Sequence, residues 1–223
     1  MAPHLHWMIA CGKRMRRSAL ALLALTLATA AAAPPLAARL LAGMARTPPT
    51  STPFVQVSYR AVLARPIIVL GTLRWAGGDR LERDIEQPFR QTAKINGGEI
   101  SLQRGSGEVQ HVPLAQAPQV GAMLAGFRAL LGGNLTVLQQ DFVLTAEGDP
   151  AHWVVTLTPR TPALRQQLAS MVIDGRAHDA RCLTVHAANG DTSITLLGAL
   201  ARRGLQSAAP LQSAVAARCR NDP

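Results

Sequence analysis

Between residues 54 and 113 apolar and polar positions alternate in short runs separated by turn formers, and this pattern predicts consecutive antiparallel strands. Within Gly71 to Gln103 the turn signals are Gly77-Gly78-Asp79, Gln87-Pro88 and Asn96-Gly97-Gly98, and the segments between them are too brief for helices. Asn-Gly between strand-like runs is among the strongest local hairpin signals. Leu81, Arg83 and Ile85 share one face while Glu82, Asp84 and Glu86 share the other, so one face of the sheet meets water and the other meets an apolar layer. Phe54 to Val62 reads as the first strand, alternating Val55, Val57 and Tyr59 against Gln56, Ser58 and Arg60. Ile67 to Trp75 reads as the second, with Ile67, Val69, Leu73 and Trp75 on the same face as Gly71. A glycine inside a strand marks a bend or a close backbone approach, as a strongly curved sheet requires. Glu108 to Pro113 is a further short strand after the turn Gly105-Ser106-Gly107.

The period then changes. Val120, Met123, Leu124, Phe127, Leu130 and Leu131 recur at three and four, and Arg128 is the only charge between Pro118 and Leu131. A helix so nearly apolar all round is buried on most sides, although Gly121 and Gly126 each weaken it by about 1 kcal/mol relative to alanine. Two placements stay open: packing against the convex side of the sheet, or a plug in its concave face. Leu138 to Thr145 and Trp153 to Pro159 are predicted to form a hairpin, and Thr161 to Met171 a helix with Thr161 as N-cap and Pro162 at the first position. Val172 to Arg176, Cys182 to Ala187 and Thr192 to Leu197 are the last strands, and Leu36, Leu40, Leu41 and Met44 mark a short N-terminal helix stopped by Thr47-Pro48-Pro49. No structure is predicted for the tail from Ala199.

Phe54, Gln56, Gly71, Leu73, Pro88 and Gly97 fall, without a gap, at the spacing of the LolA family of periplasmic lipoprotein carriers, which this stretch of about fifty residues resembles. The order of elements after the apolar helix, a strand containing Phe and then a strand ending at Pro, is similar too. The resemblance implies a mainly β fold with helices (α+β): a strongly curved, incomplete antiparallel β-barrel with helices over a concave, lipid-accepting face. One departure stands out. The family's Arg-Pro pair before the third strand, whose arginine latches the lid helices over an empty cavity, falls here on Gly77-Gly78.

At the N-terminus, Lys13, Arg14, Arg16 and Arg17 precede an apolar run from Ala19 to Ala33 that ends in small residues, the plan of a secretory signal peptide. The run falls short of the roughly 20 residues that span a bilayer comfortably, so a permanent anchor is the poorer reading. Residues 1–33 are therefore read as signal peptide, 34–200 as the carrier domain and 201–223 as a C-terminal tail, with cleavage between about Ala28 and Ala38. Cys11 precedes the apolar run, whereas a lipoprotein's acylated cysteine follows it, and the mature protein is expected to be soluble and periplasmic. Without residues 1–33, which hold four basic and no acidic residues, the formal charge falls from +10 to +6. Export and the lack of a continuous basic helix face argue against nucleic acid as a partner. Cys182 and Cys219 remain, and an oxidising compartment allows them to pair; the alternative is one buried thiol and one tail cysteine.

No catalytic constellation emerges. Ser106 lies in Arg-Gly-Ser-Gly-Glu between strands, without the Gly-x-Ser-x-Gly elbow before a helix, and a hairpin turn explains it. His111, His152, His178 and His186 are dispersed, with no pair at metal-ligand spacing. No phosphate loop or dinucleotide fingerprint occurs, and no cofactor is expected.

Under the resemblance, the chain is a non-enzymatic carrier that shields the acyl chains of a lipoprotein or other lipid-like cargo, taking them from an inner-membrane exporter and passing them to an outer-membrane receptor. The alternatives are an accessory protein that binds a membrane transporter and carries nothing, and a lipid-modifying enzyme. The apolar residues expected to receive cargo are Val57, Tyr59, Leu73, Trp75, Leu81, Ile85, Phe142 and Trp153 from strands, with Leu124 and Phe127 from the helix.

Overall fold

The computed structural model describes residues 36–116 and 135–221. Eleven antiparallel strands form one sheet in the order β6-β5-β4-β3-β2-β1-β11-β10-β9-β8-β7. They are β1 (Thr50–Tyr59), β2 (Ile67–Trp75), β3 (Leu81–Gln87), β4 (Gln91–Asn96), β5 (Glu99–Arg104), β6 (Gln110–Pro113), β7 (Phe142–Asp149), β8 (His152–Pro159), β9 (Leu168–Arg176), β10 (Asp179–Ala187) and β11 (Thr192–Leu197). Two meanders thus meet through the β1–β11 pair, where Phe54 faces Leu197 and Val57 faces Ile194. The edge strands β6 and β7 follow one another in sequence yet lie at opposite ends of the strand order, so the sheet is not closed.

Among the described residues, three α-helices lie in the chain's first and middle parts: α1 (Leu36–Gly43), α2 (Leu135–Asp141) and α3 (Pro162–Arg165). Two more, α4 (Ala199–Arg202) and α5 (Gln212–Asn221), make up the C-terminal segment. Leu41 of α1 and Leu138 of α2 pack with Phe142, Trp153, Val155, Leu157, Met171 and Ile173 on what we term the inner face. On the outer face, Leu200 of α4 and Val215 and Cys219 of α5 pack on Val55, Val57, Cys182, Ile194 and Leu196. The central part of the sheet therefore buries apolar residues on both faces, while β3, at the sheet's wing, keeps its acids outside and Leu81 and Ile85 inside.

Curvature follows from small residues at close approaches. Gly71 sits at a register irregularity between β2 and β3, and a Cβ there would lie 1.8 Å from the Asp84 carbonyl oxygen, so only glycine fits. At Gly175 a Cβ would meet the Trp153 ring at 2.0 Å; the missing side chain is the bed of the indole.

Two sequence expectations are corrected. Leu138 to Asp141 belongs to helix α2, and the strand starts only at Phe142. Leu138 and Phe142 are both buried, and their spacing of four suits a helix as well as a strand. The helix from Thr161 ends at Arg165; Thr161 Oγ1 does cap it, accepting from Leu164 N at 3.3 Å. Leu168 to Met171 is strand, and the helical spacing of three arises because Leu168 to Ser170 of β9 bulge opposite His186 and Ala187 of β10, so that Leu168 and Met171 both face inward. The tail, unassigned from sequence, forms α4 and α5. The apolar helix expected at 118–131, with Leu124 and Phe127, lies outside the described residues.

Candidate functional site

Register carries the inner face across the whole sheet. Phe54 pairs with Gly71 and Leu197, Gly71 with Ile85, Leu73 with Arg83 and Trp75 with Leu81. Cross-strand partners point to the same side, so Leu73, Trp75, Leu81, Arg83 and Ile85 share the face that also carries Leu183, Ile173, Trp153 and Phe142. Where β1 begins and β11 ends, this face encloses a cavity of about 530 Å³. Leu73 and Trp75 of β2, Leu81 of β3, Ile173 of β9, Leu183 of β10, Leu197 of β11 and Met44 beside α1 line it. From β3 to β9 is five strand spacings, roughly 24 Å along a flat sheet. Their side chains meet around one cavity because the sheet curls toward this face.

The walls are largely apolar. Trp75 is 7% exposed, and its Nε1 donates to Gly78 O at 3.1 Å, leaving the ring to present hydrocarbon. The rim is cationic: Arg46, Arg176, Arg181 and Arg202 line it beside a carboxylate, Asp179. Arg46 donates to Asp179 Oδ1 at 2.6 Å and to His178 O at 2.8 Å. Deeper on the same face, Arg83 donates through Nη2 to Gln56 Oε1 at 2.8 Å and lies 4.9 Å from the Phe54 ring centre. Burial pushes its guanidinium below the ordinary value.

The residues named from sequence divide into groups. Leu73, Trp75 and Leu81 line the cavity. Ile85 is on the same face beside Phe54 and Val69. Phe142 and Trp153 share the face too, but lie fully buried beneath α1 and α2, with Trp153 Nε1 donating to Ala177 O at 3.0 Å. Val57 and Tyr59 are corrected: both lie on the outer face under the C-terminal segment, Val57 fully buried and Tyr59 donating to Pro210 O at 3.1 Å. Alternation groups residues within a strand, but only the register shows that Phe54, not Val57, shares a side with Leu73. Ile173, Leu183, Leu197 and Met44 were missed as cavity residues because they join β2 and β3 only through the curl of the sheet.

Cys182 and Cys219 form a disulfide. Ser106 is exposed in its turn, while His111 bonds across the strands with Glu99 at 2.7 Å and Ser101 at 3.4 Å. Among the described residues no group of three or more His, Cys, Asp or Glu side chains is placed to hold a metal ion, and no helix is long and apolar enough to cross a membrane.

Solved structures to which the chain is similar include the LolA superfamily protein NE2245 from Nitrosomonas europaea, 12% identical, with a TM-score of 0.42 over 73% of this chain and 91% of that one. LprF from Mycobacterium bovis is 12% identical, with a TM-score of 0.33 over 78% and 96%. A DUF1329 family protein from Desulfovibrio piger is 8% identical, with a TM-score of 0.38 over 80% and 95%. No curated protein matches by sequence. The model of the family described as "Outer membrane lipoprotein carrier protein LolA-like" matches residues 28–221, and the chain belongs to that family.

Proposed function

We propose that the protein is a periplasmic carrier that receives the acyl chains of a lipoprotein or other lipid-like cargo on its inner face and shields them during transfer toward the outer membrane. The apolar cavity walled by Leu73, Trp75, Leu81, Ile173, Leu183 and Leu197 carries this reading. Its volume of about 530 Å³ falls within the roughly 300–1,000 Å³ of small-molecule sites. Burial of each methylene contributes about 0.8 kcal/mol, so such a surface holds cargo without a reacting group. Family membership supports the same role, and the basic, apolar start of the chain supports export. Leu124 and Phe127 keep their proposed place among the cargo-contacting residues, with Ile85, Phe142 and Trp153 supporting the receiving face. An inner-membrane exporter would load the carrier and an outer-membrane receptor would unload it.

The test is native mass spectrometry of protein isolated gently from a Gram-negative periplasm, with N-terminal sequencing of the same sample. Co-purifying lipid and a new N-terminus between about Ala28 and Ala38 are expected. Lipid-free protein that also fails to take up a fluorescent long-chain lipid in vitro would overturn carriage, and retention of residues 13–30 would overturn export by cleavage.

A further inference from the structure

Arg83 occupies the middle of β3 on the inner face, between Leu81 and Ile85 along the strand and between Leu73 and Ala93 across it. Every acid of this strand points the other way. Glu82 and Asp84 meet Arg74 on the outer face, and Glu86 receives a bond from Thr72. Among the described residues no carboxylate pairs with Arg83. Its partners are the Gln56 carbonyl oxygen and the Phe54 ring, which orient a guanidinium without neutralising it. A half-buried charge on an apolar face lacks the compensation that such groups normally have.

Gln56 is itself held. Its Nε2 donates to Ser58 Oγ at 3.1 Å, and that hydroxyl is 2.9 Å from Ser193 Oγ. With the amide nitrogen committed to Ser58, the amide oxygen is turned to Arg83, and Arg83 Nη2 is turned to Gln56. Among the described residues, Nε and Nη1 have no acceptor. Nη2 carries two N–H groups and gives one to Gln56; the other, alongside Nε–H or an Nη1–H, completes a planar fork that matches an oxyanion with two parallel hydrogen bonds.

We propose that Arg83 is the anchor for the head of an anionic amphiphile, binding its carboxylate or phosphate while the chain lies along the apolar inner face toward the cavity at Leu73 and Leu81. This rests on the carrier reading and narrows it: the cargo carries a negative charge close to its acyl chain. The oriented Gln56 positions the cation, and the anion supplies the missing counter-charge.

The experiment compares binding of a fluorescent long-chain fatty acid, its methyl ester and a monoalkyl phosphate to the purified protein and to Arg83→Met and Arg83→Lys, with folding checked by circular dichroism. The two anions are expected to bind at least about tenfold more tightly than the ester, the gain of one charge-assisted hydrogen bond. In Arg83→Met the acid-to-ester ratio is expected to fall to about one, and Arg83→Lys to retain part of the preference. Inorganic phosphate alone is not expected to displace the fatty acid; displacement at equal concentration would show a free-anion site and overturn the amphiphile. Equal affinity of the parent protein for acid and ester, which needs no variant, would overturn the proposal while leaving carriage intact. An undiminished ratio in folded Arg83→Met would do the same. Failure of all chain-bearing probes to bind would remove the carrier reading and this proposal with it.

Discussion

Cys219, close to the end of the chain, is joined to Cys182 within β10, with their Cα atoms 5.7 Å apart and a sequence separation of 37. The bond ties α5 to the outer face, where Val215 and Cys219 pack against the central strands. Closing a loop of this size stabilises by about 4 kcal/mol in the chain-entropy model. Cys219→Ser, or reduction, is expected to lower the melting temperature by roughly 10 °C, read by thermal denaturation with and without reductant. An unchanged midpoint would mean that apolar packing alone holds the tail.

Leu73 and Val57 separate the two faces experimentally. Leu73 is half-buried at the cavity wall, whereas Val57 is fully buried under the C-terminal segment. Leu73→Gln is expected to weaken binding of a fluorescent lipid with less than about 1 kcal/mol lost in stability. Val57→Gln leaves an amide unpartnered in a packed layer and is expected to cost about 3 kcal/mol or more, with little change in lipid affinity of the folded fraction. Titrations paired with urea denaturation read both quantities, and the reverse pattern would place the receiving face on the other side of the sheet.

These two residues also show what was legible in the sequence. Strands β2 to β5 were readable because alternation and turn residues are local, and the inward direction of Arg83 followed from the same alternation. The relation between β1 and β2 was not readable, since it depends on the pairing of Phe54 with Gly71, which the intervening loop decides. The cavity was hidden for a larger reason: its walls come from β2 and β3 on one wing and β9 to β11 on the other. Likewise, that Gln56 and Arg83 meet, 27 positions apart, is a property of three adjacent strands and not of any one.

Gly77 stands where the family pattern places its latch arginine, and its φ of +91° lies in the left-handed region. A Cβ there would also lie 3.2 Å from Pro48 Cγ. Any side chain at this position is expected to cost about 1–3 kcal/mol. The comparison that isolates a guanidinium is therefore Gly77→Arg against Gly77→Ala, which carries the same backbone strain. Lower binding of a hydrophobic dye to cargo-free Gly77→Arg than to Gly77→Ala is the expected outcome if a latch is restored. Equal binding by the two folded variants would show that the family's latch does not transfer to this turn.

Asp174 gives the pH prediction. It is 7% exposed on the outer face of β9, with Oδ1 3.6 Å from His152 Nε2. Burial raises its pKa, and His152 and Arg220 offset that only in part. A carboxyl whose folded-state pKa exceeds its unfolded value holds its proton more tightly when folded. Its ionisation therefore opposes folding, and stability falls as pH rises from the ordinary value of 3.8 through the raised one. Asp174→Asn removes that charge while keeping the shape, so the variant is expected to be more stable than the parent at pH 7. The difference should shrink as pH falls and vanish below 3.8, where the parent's carboxyl is protonated in both states. Urea midpoints of the two proteins at pH 3.5, about 5 and 7 measure this. A gain of the same size at every pH would assign it to packing or hydrogen bonding of the amide, and a loss at pH 7 would mean that the pair with His152 contributes more than burial of the charge costs.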